Sequence, residues 1–215
     1  VSAIIVLAAV MSAANAVAAD SRAVNFDKGW HFSLSDSPAM SSPAFDDSSW
    51  RVLNLPHDWA IEGSFSEDNP SGTGGGALPG GVGWYRKTFR VPADMKGKQI
   101  YIDFDGAYMN ATVYINGHEL GTRPYGYASF SYDITPWLKP DGENVVAVRV
   151  DNAEQPNSRW YSGCGIYRHV WLRVLNPVHV AFWGTFVRQD NVSASQAGFT
   201  VITDVENSGR KGVRG

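Results

Sequence analysis

The stretch QIYIDFDG, residues 99–106, sets Ile100, Ile102 and Phe104 against Tyr101, Asp103 and Asp105. That is the two-residue period of a strand with one buried face. The period returns in WYRKTFRV, NVVAVRVDN and IYRHVWLRVLN. Between ATVYI and HELG stands Asn116-Gly117, a pair that accepts positive φ at both positions and so closes a two-residue hairpin. No segment sustains a helical period, although the residues around SSPAFDDSSW have room for one short helical turn. Repeated strands punctuated by Gly, Pro, Asn and Asp predict an all-β fold, an antiparallel β-sandwich or jelly roll over residues 22–175. After the short linker Asn-Pro-Val at 176–178, HVAFWGTFVRQD and GFTVITDVENSG read as the first strands of a second β-domain over 178–215. Two strands do not bury a core alone, so the protein is expected to continue past Gly215.

Residues 1–19 break the pattern. An apolar run from Ile4 to Met11 leads into Ala13-Ala14-Asn15-Ala16 and Val17-Ala18-Ala19. This is the hydrophobic region and cleavage site of a secretory signal peptide whose start is missing, and the run is too short to span a bilayer. The expectation is export, to the periplasm or the exterior. A single cysteine, Cys164, excludes an internal disulfide framework, and its placement suits a small-residue slot in a turn better than a reactive thiol. The net charge of −3, with no basic run, excludes a nucleic-acid partner. Aromatic residues make up 13% of the chain, a content that favours strands and carbohydrate-facing surfaces.

Most candidate chemistries fail on spacing. SGTGGGALPGGVG, residues 71–83, imitates a phosphate cradle, but no strand enters it, Pro79 follows and no helix N-terminus is available to face an anion; a mobile surface loop, of a kind that can border a site, fits better. The five histidines, His31, His57, His118, His169 and His179, show no metal-ligand spacing, and no metal or other cofactor is expected here. No nucleophile elbow is present, and Glu62 and Glu67 lie in polar loop sequence rather than as a catalytic pair. Two places remain. In LPHDW, Pro56 and Trp59 stiffen the exit of an apolar strand and Asp58 projects at the rim; Asp also caps turns, and both roles stay open. In NSRWYSGCGIYRHVWL, residues 157–172, Asn157, Ser158 and Arg159 precede Trp160, where a ligand contact competes with plain Arg–Trp stacking.

Six motifs in order, FDKGWHF, WRVLNLPHDW, GVGWYRKTFRVP, GAYMNATVYINGHELG, GYASFSYDIT and NSRWYSGCGIYRHVWL, together resemble the N-terminal sugar-binding domain of glycoside hydrolase family 2, in particular of bacterial β-galactosidases. The resemblance covers about Asn25 to Leu175, and residues 178–215 resemble the start of the immunoglobulin-like β-sandwich that follows in that family. It implies a TIM barrel further on, carrying two catalytic glutamates that act with retention of configuration; no catalytic residue is therefore expected in this chain. It also implies that rim loops of the jelly roll help bind the terminal sugar of a β-galactoside. Asp58 falls where relatives place an Asp or Asn against sugar hydroxyls, and the loop before GIYR supplies a second contact. That contact is acidic in some relatives. Here no acid lies between Asn157 and Arg159, which puts a sodium-assisted contact in doubt and leaves Arg159 as the strongest polar candidate. The expected substrate-binding set is Asp58, Asn157, Arg159 and Trp160.

Within the enzyme reading β-glucuronidase and β-mannosidase share the architecture; outside it stand a lectin-like carbohydrate module and a structural scaffold domain. The sugar-site reading requires Asp58 and Arg159 to share one lip of the sandwich, whereas a scaffold leaves them apart.

Overall fold

The computed structural model describes residues 22–209 and Gly212; the signal peptide expected at residues 1–19 lies outside them. Two compact units are present, one of Ala23–Arg173 and one beginning at Val174.

The first unit is a sandwich of two sheets. The smaller sheet has the order β1-β10-β5-β8, with β1 at Arg22–Asn25, β5 at Gln99–Phe104, β8 at Phe130–Asp133 and β10 at Val170–Leu175. The larger has the order β3-β2-β4-β9-β6-β7. Its strands are β2 (Trp30–Ser33), β3 (Arg51–Leu53), β4 (Gly81–Arg90), β6 (Ala111–Ile115), β7 (His118–Arg123) and β9 (Glu143–Asn152). Strand β5 behaves as its alternation demands: Ile100, Ile102 and Phe104 are buried, and Tyr101 and Asp103 are not. Phe104 pairs across the strands with Phe130, their rings 4.8 Å apart and nearly parallel, which places a large apolar contact at the end of the β5–β8 pair. Asn116-Gly117 closes the β6–β7 hairpin with φ of 50° and 83°, the left-handed pair such a turn requires.

Strand β9 departs from simple alternation. Val145, Val146, Ala147 and Val148 are all buried, so both of its faces are covered. The outer cover is the segment between β2 and β3, which includes the short helical turn Pro38–Ser41. Met40 from this turn packs on Trp84 and Ala147, with Phe45, Trp50 and Tyr114 around them. Arg86 of β4 is 1% exposed and pins the segment. Its Nε donates to Asp47 at 2.7 Å, and its other guanidinium nitrogens donate to the carbonyls of Met40, Ser42 and Phe45. A buried guanidinium is tolerated because each of its three nitrogens meets an acceptor.

The strand expected over IYRHVWLRVLN begins only at Val170. Ile166 to His169 serve the preceding loop instead, and Asp27 fixes the changeover by accepting from the Val170 amide (2.8 Å) and from His169 Nδ1 (2.7 Å).

In the second unit, β11 (Val178–Val192) pairs antiparallel with β12 (Ala197–Asn207), as the two expected strands. Val180 faces Val205 and Val187 faces Val201, and the four are exposed. Phe186 and Ile202, paired on the opposite face, are exposed as well.

Candidate functional site

The exit of β3 and the loop between β9 and β10 meet at one rim of the sandwich. Residues 57–59 and 164–166 run side by side, the His57 amide donating to Ile166 O (2.9 Å) and the Trp59 amide to Cys164 O (3.1 Å). From the other side, Tyr108 and Gly165 exchange two backbone hydrogen bonds of 2.9 and 3.0 Å. Gly165 has φ of 116°, and a Cβ there would lie 2.2 Å from the Tyr85 hydroxyl, so no other residue fits. Gly163, at φ of 81°, brings the loop against the Asp58 carboxylate.

Asp58 is the hinge between the two segments. Its Oδ1 accepts from the Ala60 amide (3.0 Å) and the Cys164 amide (2.9 Å), and its Oδ2 accepts from the Tyr161 hydroxyl. The capping role and the cross-loop role are thus held by one side chain. Burial, with the carboxylate as neighbour, raises the Tyr161 phenol well above its ordinary value, so it remains a donor. Arg159 lies in this same loop and is exposed, and its backbone passes beside Gly74. The glycine-rich stretch does border the site: Gly76 also approaches Tyr161. That stretch is tied back on itself, with buried Ser71 Oγ donating to Leu78 O (2.7 Å) and accepting from the Leu78 amide (3.0 Å).

Asn157 is occupied within the fold. Its amide donates to Asn152 Oδ1 (2.7 Å) and Glu154 O (3.1 Å), and its own Oδ1 accepts from the Tyr108 hydroxyl at 3.2 Å. Buried Asn152, at the end of β9, also donates to Gly163 O at 3.1 Å and so holds both halves of the loop. Trp160 is exposed and donates its indole N–H to the Tyr127 hydroxyl at 3.1 Å. The structure therefore brings Asp58, Asn157, Arg159 and Trp160 to one lip, with Asn157 as a support and Arg159 and Trp160 open to solvent.

Several residues at this lip escaped the sequence reading. His57, next to Asp58, is buried between Tyr85 and an Arg51–Glu62 ion pair. Arg51 Nη2 stands 2.7 Å from His57 Nε2 and can only donate, so Nε2 accepts and Nδ1–H points to the Tyr85 hydroxyl at 2.7 Å. Burial lowers the His57 pKa, partly offset by Glu62, which agrees with the neutral ring. The only signal for this relay is the His-Asp order in LPHDW. Tyr125 and Tyr127 come from the loop between β7 and β8, where PYGY carries no strand period.

Cys164 is 3% exposed, and burial pushes its thiol up to about 12. It fills a small slot against Asn152. In the folded chain at neutral pH, iodoacetamide should leave Cys164 unmodified, while the unfolded chain is alkylated at the rate of a free thiol. Equal rates in the two states, read by mass spectrometry, would refute this. Among the described residues no group of three or more His, Cys, Asp or Glu could hold a metal ion.

Residues 82–173 match the family described as glycosyl hydrolase 2 galactose-binding domain-like. The chain is 62% identical over 183 residues to beta-galactosidase BoGH2A of Bacteroides ovatus, covering 85% of this chain and 22% of that protein. It is 46% identical over 184 residues to a putative beta-glucuronidase of Formosa agariphila, covering 86% of this chain and 18% of that one. Among solved structures, a beta-glycosidase from Bacteroides vulgatus superposes with a TM-score of 0.84 at 45% identity, covering 88% of this chain and 25% of that one. The chain spans about a fifth of the length of these curated relatives.

Proposed function

Because the chain belongs to glycoside hydrolase family 2, we propose that it is the N-terminal, sugar-positioning part of an exported, exo-acting retaining β-glycosidase of the β-galactosidase type. In this reading the hairpin of β11 and β12 opens an immunoglobulin-like domain, and the catalytic glutamates stand in a barrel further along the protein. The chain's own contribution is the rim. The observation that carries it is the junction at Asp58, which ties two loops distant in sequence into one polar lip beside exposed Arg159 and Trp160. A site that hydrogen-bonds sugar hydroxyls away from water rejects analogues strongly, since an unmet buried polar group is costly. Such discrimination needs fixed donors and acceptors, and the backbone pairing of 57–59 with 164–166 supplies the rigidity.

The full-length protein should hydrolyse nitrophenyl β-galactoside with kcat/KM at least about a hundredfold above the β-glucuronide and β-mannoside. The freed sugar should retain its anomeric configuration. The present chain alone should show no heat of galactose binding. Preference for the glucuronide would move the protein to β-glucuronidase, as several relatives bear that name. Galactose binding without any hydrolysis would favour the lectin-like module.

A further inference from the structure

We propose that Trp160, Tyr127 and Tyr125 form a second sugar-ring subsite, which takes the saccharide unit joined to the terminal β-glycoside. This deepens the glycosidase reading and rests on it. The three rings are 61%, 38% and 65% exposed, although the sandwich has a core large enough to bury such side chains. A cluster of exposed aromatic rings at one rim is an uncommon expenditure of apolar surface for a folded domain and marks a contact surface.

The cluster is built from two loops rather than scattered. Trp160 donates to the Tyr127 hydroxyl, and the Tyr127 ring stands edge-on to Tyr108 at 5.2 Å and to Tyr125 at 5.6 Å. Between Tyr125 and Tyr127, the Gly126 carbonyl accepts from the Tyr167 hydroxyl at 2.9 Å, which holds this loop to the segment leading into β10. Tyr108 in turn donates to Asn157, closing the circle back to the loop that carries Trp160. The rings are therefore set before any ligand arrives, and ordering them on binding costs little entropy.

Position and chemistry identify the occupant. Trp160 directly precedes Tyr161, whose hydroxyl meets Asp58, so the lip adjoins the polar anchor. None of the three rings carries a charge, which suits a neutral ligand. A pyranose offers C–H faces for the rings and hydroxyls at its edge for the Tyr127 oxygen. Beside a purely apolar occupant the Tyr127 hydroxyl, which accepts from the indole N–H, would gain no further partner.

The test uses the full-length protein and two substrates, methyl β-galactoside and a disaccharide in which galactose is β-linked to a second pyranose. Trp160→Ala and Tyr125→Ala should each lower the ratio of kcat/KM, disaccharide over methyl galactoside, by roughly tenfold, the scale of one lost aromatic contact. Trp160→Phe should restore most of it. Thermal melting of each variant checks the fold. An unchanged ratio overturns the subsite, whether both activities persist or both fall together; in the latter case the lip is a support for the rim. If the parent protein hydrolyses neither substrate but splits another β-glycoside, the galactosidase reading fails, and the ratio measured with that sugar decides the subsite separately. If the parent splits no glycoside, both fall.

Discussion

Asp58→Ala should lower kcat/KM of the full-length protein on a β-galactoside by about a hundredfold or more, because in the proposed function one carboxylate serves two purposes. Three donors lose their acceptor at once, the amides of Ala60 and Cys164 and the Tyr161 hydroxyl. Each hydrogen bond to a charged group is worth about 1.5–3 kcal/mol, part of which water returns at this half-open rim. Slackening of the 157–164 loop then misplaces Arg159 and Trp160, and small displacements of positioning groups carry large kinetic penalties. Asp58→Asn separates the two purposes. The amide oxygen still accepts from Ala60 and Cys164, so the loop stays in place. Whatever loss survives in Asp58→Asn reports the carboxylate charge together with the acceptor that Oδ2 offers the Tyr161 hydroxyl. Steady-state kinetics on a β-galactoside decides it: parental kcat/KM in Asp58→Ala would end the sugar-contact role and leave only the turn cap.

The second large effect is on stability. Arg86→Leu should destabilise the chain by about 3–5 kcal/mol, the range seen when one partner of a buried charged network is removed. Asp47 would lose its short ion pair, and the carbonyls of Met40, Ser42 and Phe45 would lose their donor in a buried setting. Since this segment covers the outer face of β4 and β9, its release also exposes Trp84 and Ala147. Equilibrium urea unfolding measures the change. A loss below about 1 kcal/mol would show that water replaces the guanidinium easily and that the segment is held by Met40 and Phe45 alone.

The parts of this molecule that announce themselves in sequence are those with a short-range cause. Alternation fixes β5, and Asn116-Gly117 forms its hairpin, since each depends on neighbours within a few residues. The double burial of β9 has no local cause. It follows from a remote arginine drawing residues 40–47 over the sheet, and polar loop composition conceals that. The shortened β10 has the same origin: Tyr108 and the 57–59 segment claim the backbone of Gly165 and Ile166 before the strand can begin. At the site, LPHDW and the 157–172 stretch were legible as rim loops, and their meeting is what the fold provides. That Asn157 is consumed by Asn152, Glu154 and Tyr108 was not legible, because the last of these lies 49 residues away in the chain. Tyr125 and Tyr127 stand in a loop whose significance arises only when Trp160 arrives from elsewhere.

The glycine-rich stretch touches the rim with main chain rather than side chains, Gly74 lying along Ser158 and Arg159. Such a contact transmits contour and is nearly blind to residue type. An alanine at position 74 would meet its neighbours at ordinary van der Waals distance, whereas one residue added or deleted would slide the whole ridge. A change in how many residues the stretch contains would thus reshape this border while leaving Asp58 and its partners untouched.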